Sequence, residues 1–188
     1  MQLEAMAIPI PHVDAHPNRM PFEGVLTLVN APSDKSPAGA RGHRVLLTRA
    51  AAEKALPSLL GMAVDYRPGW DGHDARRKIG VLTEADLAGN KLLVRGYLYA
   101  RDFPDVAQAI EAQAANALGM SYELADCRIE DMRAEVWKLT RVTFTGAAVL
   151  LRDKAAYRAT SFALEKGSFQ PSAVSHQLMA VSEEVTGF

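Results

Sequence analysis

Two apolar runs separated by Gly89-Asn90, IGVLTEADL before the pair and KLLVRGYLY after it, constrain this chain more than any other feature. Glycine and asparagine tolerate the backbone angles of a tight reversal, so residues 79–99 predict a β-hairpin and with it an antiparallel sheet. The strand signature recurs in GVLTLVN (24–30), HRVLL (43–47), MAVDY (62–66), GMSYELADCRIE (119–130) and EVWKLTRVTFTGAAVLL (135–151). In the 119–130 segment Met120, Tyr122 and Leu124 alternate with Ser121, Glu123 and Ala125, the two-residue period of a strand with unlike faces. Gly146 interrupts the last segment, which predicts one bent strand or two strands meeting at a bulge.

Helical signals are few. Thr48 is placed to cap an alanine-rich helix through Leu56, closed by Pro57 and Gly61. Asp102 is placed to cap a second, with Pro104 in its first turn, a stripe of Val106, Ala107, Ile110 and Ala114, and Gly119 as its end. Residues 153–157 suggest one further helical turn. About seven strands with two or three helices predict an α+β domain built on a mostly antiparallel β-barrel or curled sheet. Alternating βαβ units are missing, as are a Walker loop and a GxGxxG run, which argues against the nucleotide-binding α/β folds.

Pro9, Pro11, Pro17 and Pro21 make residues 1–21 an extended lead-in, the patterned region 22–164 forms the domain, and the polar stretch 165–188 reads as a flexible tail. With 21 basic and 22 acidic residues the net charge is -1, which excludes bulk nucleic acid or anionic membrane as the main partner. No run approaches the ~18 apolar residues of a membrane span, and the reading is of a cytoplasmic protein. Cys127 is the single cysteine, so a disulfide framework and multi-cysteine metal sites are excluded, and it is expected to be a small core residue. His12 and His16 have a spacing seen in helical metal sites, but the surrounding prolines oppose that helix; no metal or cofactor is expected. Function must come from a site.

Two residues stand out for chemistry. His73 lies in the glycine-rich run Gly69-Trp70-Asp71-Gly72-His73-Asp74, just ahead of a strand, where a loop on a rigid sheet can present a general base; a solvated loop histidine is the plainer reading. Ser121 follows Gly119-Met120, and the lack of a glycine two residues after it excludes the GxSxG elbow. A serine nucleophile needs a base within hydrogen-bond reach, which here only the fold can supply. Arg76-Arg77-Lys78 forms a basic patch next to His73, a solvated loop or a handle for an acidic segment.

Taken in order, His73 with Ile79-Gly80 after it, LLVRGYLYARDFPDVAQAI (92–110), Leu118-Gly119-Met120-Ser121-Tyr122-Glu123, and Thr145-Gly146-Ala147-Ala148-Val149-Leu150 followed by Lys154-Ala155-Ala156-Tyr157 resemble the capsid maturation (prohead) proteases of tailed phages. These share a fold with the herpesvirus assemblins, and the resemblance spans residues 22–164. It implies a serine endopeptidase with Ser121 as nucleophile and His73 as general base, acting on major capsid and scaffold proteins in the host cytoplasm, inside the assembling procapsid, as a dimer or larger homo-oligomer. It also implies an oxyanion site of backbone N–H groups helped by Arg152. Such proteases present a histidine or an acidic residue on the late strand, where this chain has Thr143, Thr145 and Gly146. Thr145 is therefore the expected third member, with Glu123 and Asp71 as alternatives. Leu178-Met179-Ala180 ahead of Val181 resembles the small-residue junctions such enzymes cut, so self-trimming near Ala180 is expected. Two other readings stay open: a scaffold or assembly protein that keeps the protease fold without the activity, and a β-barrel module that binds peptides through the loop 66–78.

Overall fold

The computed structural model describes His16 and residues 18–165; His12, the tail beyond Glu165 and the Ala180 junction lie outside them. Eight strands form one sheet: β1 (Arg19–Leu28), β2 (Arg44–Leu47), β3 (Ala63–Asp65), β4 (Lys78–Ala88), β5 (Lys91–Tyr99), β6 (Leu118–Ile129), β7 (Val136–Leu151) and β8 (Ser161–Leu164). Two short helices accompany them, α1 (Arg49–Ala55), continued by a 3-10 turn over Leu56–Leu59, and α2 (Pro104–Glu111). The fold is mostly β. Seven of the strands coincide with the expected ones, and β8, four residues long, carries too little pattern to be read as a strand.

The order along the sheet is β2-β7-β3-β4-β5-β1-β8, with β6 on the opposite edge of β7. The 16-residue β7 organises it: β6 runs antiparallel along nearly its whole length, while β2 and β3 lie parallel to its two ends on the other side. Those two parallel joints make the sheet mixed rather than purely antiparallel. At its far side β6 packs against β1 and β8, curling the sheet into a half-barrel. Phe22, Leu26, Leu82, Val94, Met120 and Val149 fill the concave side and are almost wholly out of water. Their burial is the main source of stability.

The β4–β5 hairpin follows the expectation closely, turning at Gly89, whose φ is +58°. Gly96 on β5 permits a close approach, since a Cβ there would run into the Val81 carbonyl and the Phe22 ring. Thr48 caps α1 as expected, accepting from Ala51 N–H at 3.2 Å.

Three expectations are corrected. Asp102 does not cap α2: the N-cap is Phe103, and the Asp102 carboxylate instead accepts from Asn18 Nδ2 at 2.8 Å. That helix ends at Glu111 and not at Gly119, which lies inside β6; its buried stripe is Val106, Ala107 and Ile110. β1 begins at Arg19, ahead of the expected boundary, and runs through Pro21. The Pro21 carbonyl accepts from Glu165 N–H at 3.0 Å, so its missing donor falls on the β8 side and the ladder to β5 is unbroken.

Candidate active site

β6 and β7 pair with three interruptions of register. Glu123 faces Gly146 and Leu124 faces Phe144, which leaves Thr145 as an extra residue on β7. A second extra residue falls on β6 between Ala125 and Arg128, where Asp126 takes a left-handed φ of +52°. Bulges of this kind re-aim side chains and break the regular alternation of a ladder. Thr145 is exposed as a result.

Above these bulges the register places Ser121 opposite Ala148, and across β7 it places Asp65 of β3 beside the same Ala148. Directly paired residues share a face, so Ser121 and Asp65 flank β7 on one side of the sheet, about 10 Å apart at two strand spacings. Between them stands only the Ala148 methyl. That leaves room for a ring from the loop over residues 66–77, which carries His73. The loop is tied down by Leu151 N–H donating to the Trp70 carbonyl at 2.8 Å and by Arg67 Nε donating to the His73 carbonyl at 3.1 Å. Trp70 holds a left-handed φ of +57°, a conformation costly for an aromatic residue, and packs against Tyr66.

Asp65 is completely buried, and a buried carboxylate has to be compensated. Lys78 Nζ lies 3.0 Å from its Oδ2, and Asp74 N–H donates to Oδ1 at 3.2 Å. His73 Nδ1 lies 3.4 Å from Oδ1. Burial pushes the Asp65 carboxyl up, but the hydrogen bonds and charges of His73 and Lys78 together outweigh it and hold the group below its ordinary value. The His73 side chain is 17% exposed; among the described residues its Nδ1 meets Asp65 at 3.4 Å, a contact weaker than a well-aligned hydrogen bond, and Nε2 has no partner. With Nδ1 turned to Asp65, Nε2 is the nitrogen left for chemistry.

His73, Ser121 and Thr145 line one groove of about 570 Å³, together with Glu123, Cys127 and an apolar end formed by Val45, Trp137 and Leu139. The loop over residues 37–40 makes its opposite wall. The other residues singled out from the sequence fall as follows. Asp71 is half-exposed and lies 3.8 Å from Arg67 Nη1, turned to the loop's own arginine. Glu123 is exposed on the Ser121 face, its carboxylate resting where a Cβ of Gly146 would be. Arg152 donates its N–H to the Ala117 carbonyl at 2.9 Å and runs its side chain beside Gly119, two residues before Ser121. Cys127 is exposed rather than a core residue and lines the same groove as Ser121 and Glu123, the side to which the alternation from Ser121 turns it; partial burial of the sulfur and the neighbouring Asp126 push its thiol up. Among the described residues no group of three metal-ligating side chains occurs, and no helix is long and apolar enough to cross a membrane.

The carboxylate that meets His73 is thus one that sequence reasoning passed over. Asp65 is the fourth letter of MAVDY, a strand read only as structure. Its signal was a charge in an apolar strand, where alternation turns Val64 to the core and Asp65 to the loop side.

No family model matches the chain, and no curated protein matches it in sequence. Among solved structures the fold is similar to the protease of Kaposi's sarcoma-associated herpesvirus in complex with a hexapeptide phosphonate inhibitor, at 12% identity over 87% of this chain and 77% of that one, with a TM-score of 0.48. It is similar to varicella-zoster virus protease at 12% identity over 90% of this chain and 78% of that one, with a TM-score of 0.47. It is also similar to the capsid assembly protease of bacteriophage T4, at 14% identity over 68% and 80%, with a TM-score of 0.43.

Proposed function

We propose that this chain is a serine endopeptidase in which Ser121 is the nucleophile, His73 the general base and Asp65 the carboxylate that orients it. The observation that carries this reading is the fully buried Asp65 set against His73 Nδ1, on the loop whose histidine shares a groove with Ser121. A compensated buried carboxylate holds one imidazole tautomer, with the proton on Nδ1, and offsets the positive charge that develops when Nε2 takes a proton. In the reaction, Ser121 Oγ attacks the scissile carbonyl while its proton passes to His73 Nε2. Collapse of the tetrahedral intermediate breaks the C–N bond, His73 protonates the leaving amine, and an acyl-enzyme remains. Water, deprotonated by His73, then releases the acid and restores the serine. Backbone N–H groups near Ser121, with the Arg152 guanidinium alongside, serve the oxyanion.

Thr145 borders the same groove and belongs, in this reading, to its wall. Asp71, drawn to Arg67, and Glu123, on the far side of Ser121, are left out of the triad. The reading as an inactive assembly protein drew on the want of a carboxylate for His73, and Asp65 supplies one.

The substrates we assign are major capsid and scaffold proteins, cut inside an assembling procapsid in the host cytoplasm by a homo-oligomeric enzyme. The assignment is tested by intact-mass analysis of the full chain, wild type beside Ser121→Ala, incubated at high concentration with the matching capsid and scaffold proteins. Fragments present only with Ser121 support the endopeptidase and map its sites, with trimming near Ala180 among those expected. Absence of fragments in both samples, with scaffold still bound, gives the lead to the assembly-protein reading.

A further inference from the structure

We propose that Glu123 forms a subsite for a cationic side chain, so that the groove takes an extended polypeptide with a lysine or arginine near the bond attacked and apolar side chains further along. The inference deepens the reading of Ser121 as nucleophile and rests on it. Ser121 and Glu123 are successive residues on the same face of β6, about 6.8 Å apart along the strand, which is also the spacing of same-face residues in an extended peptide lying over it. A residue one or two positions from the scissile carbonyl therefore comes over the Glu123 carboxylate.

That carboxylate is exposed but lies against the groove wall at Gly146. A Cβ at position 146 would lie 2.5 Å from Glu123 Oε2, so the glycine makes the recess in which the carboxylate rests. Thr145, displaced by its bulge, stands next to it on the same wall. Among the described residues Glu123 forms no ion pair, although it is the charged carboxylate nearest Ser121 on that face. Asp126, three residues on, accepts from Thr143 Oγ1 at 3.2 Å and adds a second negative charge to the strand. Along the ribbon the next charges, Arg128 and Arg141, pair across the strands beyond both carboxylates. The far end is apolar, floored by Val45, Trp137 and Leu139. On the Glu123 side of Ser121, away from Gly119 and Arg152, the groove thus offers a negative charge and then hydrocarbon further along, a pattern that a basic residue followed by apolar ones complements.

The test uses the full-length Ser121→Ala protein and fluorescein-labelled decapeptides of Ala, Ser and Leu in which one position, scanned along the peptide, is Lys, norleucine or Glu. The Lys peptide is expected to bind at least about fivefold tighter than the Glu peptide at its best position, with norleucine between them. Adding Glu123→Lys in the same background should reverse the order, Glu123→Gln should flatten it, and roughly 0.5 M salt should shrink it. Equal affinities for the three peptides, a preference that Glu123→Lys leaves unchanged, or no binding of any peptide at about 1 mM would each overturn the subsite. Cleavage of the same peptides by the Ser121 form separates the two ideas. Cleavage without charge preference overturns the subsite and leaves the endopeptidase standing, whereas charge-selective binding without cleavage does the reverse.

Discussion

Two of the long antiparallel pairs of the molecule, β4–β5 and β6–β7, have opposite characters. The first is joined by a two-residue turn and carries one interruption of register, at Thr83; the second carries three, at Thr145, in the Asp126 region and at Thr140. Along β5 of the regular pair the alternation of faces stays intact, and Leu92, Val94 and Leu98 reach the core in turn. In the irregular pair the alternation is repeatedly reset, and the displaced residue Thr145 faces a groove instead. Regular pairing builds the wall, and breaks in pairing build the site.

The largest effects expected from this contrast concern what sits across from His73. Asp65→Asn keeps the shape of the side chain but removes the charge that holds the imidazole and compensates its protonation, so kcat should fall by roughly 10³–10⁴-fold. Thr145→Val removes a hydroxyl on the groove wall and should change kcat by less than about threefold. Peptide-cleavage kinetics on the two variants check the assignment, and a larger loss from Thr145→Val than from Asp65→Asn would move the third member of the triad to Thr145.

The next contrast is in stability. Gly96 on the regular pair and Gly146 on the irregular one both lack room for a Cβ, but the obstacles differ. At Gly96 the obstacle is the Val81 backbone and the Phe22 ring, which cannot move without opening the ladder, so Gly96→Ala should cost about 2–3 kcal/mol. At Gly146 it is the end of the exposed Glu123 side chain, which can swing aside, so Gly146→Ala should cost under ~1 kcal/mol. Urea titrations of the two variants measure the difference. The same Gly146→Ala change should displace the carboxylate and blunt any preference for basic peptides while the fold stays intact.

The contrast also explains what could be read without a structure. Alternation and the Gly89-Asn90 turn carried β4 and β5 to within a residue of their ends, because in a regular hairpin local pattern and global pairing agree. Ser121 and His73 were visible as a serine on a two-faced strand and a histidine in a glycine-rich loop. Asp65 was not, since its meeting with His73 depends on β3 and β6 flanking β7 at Ala148, a register set by pairing Ala148 with Asp65, 83 residues before it, and with Ser121, 27 residues before it. The exposure of Cys127 was misread for another reason: alternation from Ser121 already turns it to the groove side, and its small apolar side chain argued for the core instead. The Asp102 cap failed because a competing partner, Asn18, lies 84 residues away in sequence.

The smallest expected effects are in pH dependence, where burial separates Asp65, beside the site, from the exposed face of the regular pair. The Asp65 carboxyl is held below its ordinary value of 3.8 in the folded protein. A group with a depressed folded value contributes stability that is fully present above the unfolded value and is lost as pH falls through the folded one. Wild-type protein should therefore lose thermal stability as pH drops below about 4, and the part of that loss owed to Asp65 should be absent from Asp65→Asn. Lys78→Met removes the ammonium 3.0 Å from Oδ2 and leaves burial less opposed, so the acid transition should move to higher pH. On the regular pair, Arg95 faces Glu84 at 3.3 Å with both side chains more than half exposed. Water screens such a pair, and Glu84→Gln should shift stability by no more than ~0.5 kcal/mol at neutral pH. Melting curves from pH 3 to 7 for the four proteins decide the matter: an acid transition that Lys78→Met leaves in place would mean that Lys78 does not hold the Asp65 charge, and that His73 and the Asp74 N–H suffice.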